Sequence, residues 1–160
     1  MVTLILDNFL SSEECKTLID MYESGHVKDE KGRFDSCYPI DISTMKGGVP
    51  NFLSERINKA GNLINESVID WIQVVKWYSP NKGKKLHKDF ASDKTTLSSI
   101  IYLNDDYKGG QTYFEDGTIF TPIKGRALFF DGVYYNHGVK KIQKGKRYVV
   151  ATWMKNKNSQ

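Results

Sequence analysis

The stretch TLSSIIYLNDDYKGGQTYFEDGTIFTPIKGRALFF, residues 96–130, decides the fold class. β-branched and aromatic residues come in short runs, TLSSIIYL, QTYF, TIFT and RALFF, separated by Gly, Pro, Asn and Asp. Runs too short for helices, punctuated by turn formers, are the mark of an all-β sandwich or barrel. WIQVVKWY (71–78) upstream and RYVVATWM (147–154) downstream extend the pattern. Inward-facing side chains of such a sandwich converge on a cavity, so the chemistry should lie along these strands.

Upstream of residue 68 the period is helical. TLIL (3–6) reads as a short strand, and SSEECKTLIDMYESG as a helix opened by a capping box, Ser11 with Glu14, and closed by Gly25. Residues 26–35 are charged and read as loop, and the 26–50 segment is long enough to serve as a lid. A second helix is expected from Pro50 to about Glu66, with Phe52, Leu53, Ile57, Ala60, Leu63 and Ile64 at helical spacing. Helices first and strands afterwards give a mainly β fold with supporting helices: one domain, 1–160, whose segment 1–67 supports a core at 68–156.

The 160 residues suffice for one domain, and 39% apolar content excludes a disordered chain. No apolar run is long enough to span a membrane, and the N-terminus lacks a basic region and cleavage site, so a cytoplasmic protein is expected. Cys15 and Cys37 suggest no disulfide framework, and Cys15 reads as a small buried hydrophobe. Net charge is +4, too small an excess for a dedicated nucleic-acid binder. Lysines nevertheless cluster at 82, 84, 85 and 88 and at 140, 141, 144 and 146. They are either solvated loops or a basic rim for an acidic peptide or a phosphate backbone.

Residues two apart on a strand share a face, so His87 and Asp89 of KLHKDF can point together at a metal, with Lys88 turned outward. Alone, the pair is also met on solvated strand edges. His137 in YYNHGV, one of only three histidines, supplies a third ligand. Two imidazoles and a carboxylate suit the facial triad of non-haem Fe(II) oxygenases, and they also suit Zn(II). His26, in a charged loop, reads as solvated. Ten residues beyond His137, Arg147 shares a strand face with Val149, Ala151 and Trp153. Turned inward, its guanidinium needs an anion, and a dicarboxylate chelating the metal would supply one. Turned outward, it would only snorkel.

WIQVVKWYSPNKGKKLHKDF, TLSSIIYLNDDYKGGQTYF and GRALFFDGVYYNHGVKKIQKGKRYVVATWM resemble successive blocks of the prolyl hydroxylase (prolyl 4-hydroxylase-like) family of Fe(II)/2-oxoglutarate-dependent dioxygenases. LDNFLSSEEC is similar to the start of that family's domain. H-x-D, YLN, GG-x-T-x-F and H-x9-R occur in the family's order. The resemblance implies a double-stranded β-helix (jelly roll, cupin-like) packed by N-terminal helices, with Fe(II) held by His87, Asp89 and His137. It implies 2-oxoglutarate as cosubstrate with O2, and ascorbate as a reductant. The distal carboxylate would meet Arg147; Tyr78, Tyr102 and Thr112 would also contact the cosubstrate, and Trp153 would stand at the peptide mouth. Ordinary barrel packing is the competing role of the three aromatics.

The chain departs from the family pattern at the substrate rim. Thr95, beside Lys94, stands where relatives often carry a peptide-contacting arginine, and the glycine of the Y-x-P-G turn is displaced in YSPNKGKK. The implied activity is hydroxylation of a prolyl residue in a peptide or protein; the sequence leaves the oligomeric state open, with a monomer favoured. A nucleic-acid oxidative demethylase of the same superfamily and a non-catalytic jelly-roll module binding a peptide or anion are the competing readings.

Overall fold

The computed structural model describes residues 2–25, 37–89 and 92–159. His26 and the first part of the expected lid lie outside these residues. The elements run β1 (Val2–Leu6), α1 (Ser12–Gly25), β2 (Cys37–Asp41), α2 (Asn51–Asn65), β3 (Ser67–Tyr78), β4 (Lys84–His87), β5 (Thr95–Tyr102), β6 (Lys108–Gly109), β7 (Thr112–Phe114), β8 (Ile119–Phe120), β9 (Ala127–Phe130), β10 (His137–Val139), β11 (Ile142–Lys144) and β12 (Lys146–Asn156).

Local signals set both helices. Ser11 and Glu14 form the reciprocal capping box: the Ser11 amide donates to Glu14 Oε1 at 2.9 Å and the Glu14 amide to Ser11 Oγ at 3.1 Å. α1 buries Cys15, Leu18 and Tyr22. Pro50 caps α2, and Glu66 ends it in the left-handed region at φ 56°, its amide returning to Asn62. Gly61 lets α2 lie directly on the sheet, since a Cβ there would stand 2.6 Å from the Ser67 carbonyl.

A six-stranded sheet, β1-β9-β5-β12-β3-β2, faces a four-stranded sheet, β4-β10-β7-β8, and β11 pairs with β6 in a separate ribbon. Neighbouring strands are antiparallel throughout. The double-stranded β-helix is therefore present, with its helices packed on the large sheet. Alternation along β12 divides the interior: Val150 and Met154 join the core beneath the helices, and Val149 and Ala151 the core between the sheets. Among the described residues, no helix is long and apolar enough to cross a membrane.

Three local readings change. Residues 37–41 are not loop: CYPID forms β2, the edge of the large sheet beside β3, where Pro39 is tolerated because an edge strand can spare a donor. β4 stops at His87, so Asp89 follows the strand rather than lying in it. β1 and β2 occupy the two edges of the large sheet, so segment 1–67 contributes strands to the core as well as supporting it.

Candidate metal centre and anion pocket

The cluster is assembled from two strand ends and one anchored turn. His87, the last residue of β4, is directly opposite His137, the first of β10, and their ring centroids are 4.5 Å apart. His87 Nδ1 lies 2.9 Å from the Lys85 carbonyl and His137 Nδ1 3.1 Å from that of Tyr135. A carbonyl only accepts, so both Nδ1 atoms carry the proton and both Nε2 lone pairs are free for a metal. Phe130 and Phe114 wall in the His137 ring at 4.8 and 6.0 Å.

Asp89 is fixed from two sides. Its amide donates to the Gly132 carbonyl at 2.7 Å, and Ser98 Oγ donates to Oδ2 at 2.7 Å. This turns Oδ1 toward the imidazoles, 3.7 Å from His87 Nε2 and 3.4 Å from His137 Nε2. Burial raises the proton affinity of Asp89, but the adjacent His137 and His87 rings and the Ser98 hydroxyl outweigh it and hold the carboxyl well below the usual range. Gly132 is needed for room: a Cβ there would sit 2.5 Å from both Asp89 Oδ2 and Ser98 Oγ.

The three ligand atoms lie within 4.8 Å of one another. Ligands about 2.0–2.2 Å from a common ion stand roughly 3–3.5 Å apart at tetrahedral or octahedral angles, close to the spacings between Asp89 and each imidazole. Two imidazoles, one carboxylate and carbonyl or hydroxyl groups behind all three fit a divalent ion.

A second group of polar atoms lies deeper. Arg147 is 1% exposed; its Nε donates to the Gly110 carbonyl at 2.9 Å, while Nη2 has no partner among the described residues. The Trp77 and Tyr102 rings flank the guanidinium at 5.4 and 5.6 Å. Tyr102 and Thr112 join their hydroxyls in a short hydrogen bond. The Tyr107 hydroxyl and Trp77 Nε1 are also buried without a described partner. Arg147 Nη2, the Tyr107 hydroxyl and Trp77 Nε1 lack a partner among the described residues, and since leaving each unpaired costs about 1–3 kcal/mol, the pocket is suited to an anion. Thr112 shares a face of β7 with Phe114, the residue opposite His137, which places the pocket about 7 Å along the strand from the His-Asp-His cluster.

Arg147, Tyr102 and Thr112 are thus together in the pocket. Trp153 stands elsewhere on the same face, opposite Ser98, with its ring 5.3 Å from that of Trp71, which is 40% exposed. Tyr78 is not brought to the site. Its neighbour Trp77 faces the pocket, so alternation sends Tyr78 to the opposite face, against Tyr38 at 5.3 Å and Lys76. Lys88 is exposed, its ammonium 5.9 Å from the Tyr134 ring. The displaced glycine of YSPNKG is accounted for: Gly83 has φ +76°, and a Cβ there would lie 2.1 Å from the Val139 carbonyl.

Trp77, Ser98, Tyr107 and Gly132 escape the sequence reading. Counting alternation inward from Arg147's partner strand would have found Trp77. Ser98 and Gly132 act only through strand register, and Tyr107 is hidden in a polar turn, YLNDDYKGG.

The 2OG-Fe(II) oxygenase superfamily matches the chain over residues 72–155. Human prolyl 3-hydroxylase 2 is 41% identical over an alignment 63 positions long that covers 35% of this chain and 9% of that protein. Prolyl 4-hydroxylase 1 of Arabidopsis thaliana is 25% identical over 96% of this chain and 69% of its own length. The chain thus spans less than a tenth of the first relative and about two thirds of the second. Among solved structures, the viral collagen prolyl hydroxylase of Paramecium Bursaria Chlorella virus-1, in complex with 2OG, superposes with TM-score 0.74 at 20% identity over 94% of both chains. A Trichoplax adhaerens prolyl hydroxylase in complex with a hypoxia inducible factor peptide fragment gives 0.71 at 21% identity, over 98% of this chain and 87% of that one. At these identities the structures establish the shared fold.

Proposed function

The chain belongs to the 2OG-Fe(II) oxygenase superfamily, and on that premise we propose that it hydroxylates a prolyl residue in a peptide or protein, converting 2-oxoglutarate and O2 to succinate and CO2. One observation carries the reading: a His-Asp-His cluster beside a buried arginine whose guanidinium lacks a full set of partners. A metal alone does not explain Arg147, and an anion alone does not explain His87 and His137. A dicarboxylate held at both ends explains the two together.

His87, Asp89 and His137 would hold Fe(II), leaving the remaining positions on the ion to small ligands. Bound there, Fe(II) supplies the chemistry that couples oxidative decarboxylation of 2-oxoglutarate to hydroxylation. The chain's own contribution is placement. Ser98 and the Gly132 carbonyl hold Asp89, and the Lys85 and Tyr135 carbonyls fix the tautomer of each imidazole. Arg147, helped by Tyr107, Trp77 and the Tyr102–Thr112 pair, would accept the distal carboxylate. Phe114 and Phe130 keep water from the inner side of His137. Trp71 and Trp153 form an aromatic wall that suits a prolyl ring. The names of the two hydroxylase relatives support proline as the target. Ascorbate completes the reading as external reductant, and leaving it out of the assay tests that part.

The deciding experiment measures succinate from 2-oxoglutarate with Fe(II) and O2, comparing proline-containing peptides with methylated oligonucleotides. We expect peptide-dependent succinate and a one-oxygen mass gain on proline. Turnover on oligonucleotides alone, or failure to bind 2-oxoglutarate with Fe(II), would overturn it.

A further inference from the structure

The two lysine clusters of the sequence become one surface in the fold. Asn81 and Ile142 exchange backbone hydrogen bonds at 3.1 and 3.0 Å, and Lys84 is opposite Val139 where β4 pairs with β10. Lys144 is opposite Lys108 in the β11–β6 ribbon. Lys82, Lys84, Lys85 and Lys88 therefore adjoin Lys140, Lys141, Lys144, Lys146 and Lys108, and all nine are exposed. Segments 82–88 and 138–146 contain no acidic residue.

None of the nine has a carboxylate partner among the described residues, whereas Lys16, Lys76, Lys155 and Lys157 elsewhere each have one. Tyrosine rings position three of them instead: Lys140 lies 4.2 Å from the Tyr113 ring, Lys88 5.9 Å from Tyr134, and Lys146 5.9 Å from Tyr78. A ring restrains an ammonium without neutralising it, so these heads remain available to an anion. With a net charge of only +4, the rest of the chain is net negative, so the molecule is electrically one-sided.

Position gives this asymmetry a use. β4 is the edge strand of its sheet, and it ends at the metal ligand His87. From Lys82 to Lys88 the strip covers about 20 Å, the length of roughly six extended residues. We propose that this strip is the docking surface for an acidic segment of the polypeptide substrate, running beside β4 and delivering the target residue at its end to the metal centre. The inference rests on the prolyl-peptide reading and narrows it: the substrate carries a run of Asp or Glu on one side of the proline. A peptide is favoured over a nucleic acid because the strip is about six residues long and leads to the Trp71–Trp153 wall.

The test uses fluorescein-labelled prolyl peptides identical except for a six-residue flank, all Glu or all Gln. Fluorescence anisotropy measures binding to the full chain loaded with Fe(II) and 2-oxoglutarate without O2, at low and high salt. Wild type should bind the Glu peptide at least about tenfold more tightly at low salt, with the preference shrinking as salt rises. K82E/K84E/K140E/K141E should abolish or invert the preference while 2-oxoglutarate affinity and melting temperature stay unchanged. The milder K82Q/K84Q/K140Q/K141Q variant serves if charge reversal disturbs folding. Equal binding of the two peptides, an unchanged preference in both variants, or tighter binding of a single-stranded oligonucleotide would overturn the proposal. Binding is read apart from turnover, so a Glu-peptide preference without hydroxylation would fault the prolyl reading and leave the docking surface standing.

Discussion

Two buried cations on neighbouring strands met opposite fates. Arg147 on β12 is 1% exposed and Lys76 on β3 is 3% exposed. Arg147 is opposite Trp77 and Tyr148 is opposite Lys76, so one step along the paired strands turns from one face to the other. On the helix side, Lys76 meets the Glu23 carboxylate, which also accepts from the Tyr148 hydroxyl, and rests 4.6 Å from the Tyr78 ring. On the pocket side, Arg147 has one carbonyl and an Nη2 with no partner among the described residues. A buried charge with its counterion in the same chain is a structural device, and a buried charge without one among the described residues is a candidate binding site. Folding should depend on Lys76 and cosubstrate binding on Arg147.

The largest effect should come from the pocket face, at the metal. His137→Ala removes one of the three proposed ligands, and we expect turnover to fall by at least about 10³-fold with the circular dichroism spectrum and melting temperature kept. Retained turnover would remove His137 from the centre. Arg147→Met should weaken 2-oxoglutarate about 10²-fold by calorimetry while leaving the protein as stable as wild type or more so, because it deletes an incompletely paired charge. A large loss of stability with unchanged affinity would show that Arg147 serves the fold as Lys76 does. Gly132→Ala drives a methyl group against Asp89 and Ser98 and should weaken metal binding by about 10- to 100-fold, although neither ligand nor charge is changed.

How much of this could be read beforehand follows the same division. The capping box of α1 and the spacing of α2 depend on neighbours three and four residues apart, so both helices were legible. The gathering of His87, Asp89 and His137 was legible because histidine is rare here and the H-x-D spacing is local, and the inward turn of Arg147 because alternation places it with Val149 and Ala151. Tyr78 was placed at the cosubstrate by family resemblance alone, and alternation sends it to the helix side, because one residue's step along a strand exchanges the two faces. β2 was missed because Pro39 and charged flanks disguise a five-residue edge strand. Ser98 and Gly132 reach Asp89 through the pairing of β5 with β9 and the turn after β9, contacts no local pattern encodes.

Lys76→Met should do the opposite of Arg147→Met: a loss of about 1–3 kcal/mol in urea unfolding, with 2-oxoglutarate affinity unchanged. Burial disfavours its ammonium, but Glu23, Tyr78 and Tyr148 outweigh that and raise its pKa above the ordinary value of 10.5. A raised pKa contributes stability that is complete below the unfolded value and lost as pH climbs through the folded one. The stability difference between wild type and Lys76→Met should therefore be flat from about pH 6 to pH 9. A difference that fades within that range would mean the ammonium is not held as described.

The smallest effect offers the finest distinction. Tyr107 has a buried hydroxyl without a described partner, and Arg147 lowers its proton affinity against a stronger upward push from burial. The phenol therefore stays protonated at neutral pH and can only donate to an arriving carboxylate. Tyr107→Phe removes that donor and keeps the ring, so 2-oxoglutarate should bind about 3- to 10-fold more weakly, the net worth of one typical hydrogen bond after solvent competition. 2-Oxobutyrate, which offers the same metal-chelating end but no distal carboxylate, should bind both proteins equally. If both acids weaken together, Tyr107 only shapes the wall. If neither changes, the anion rests on Arg147 and the Tyr102–Thr112 pair, and the Tyr107 hydroxyl, like Lys76, belongs to the fold.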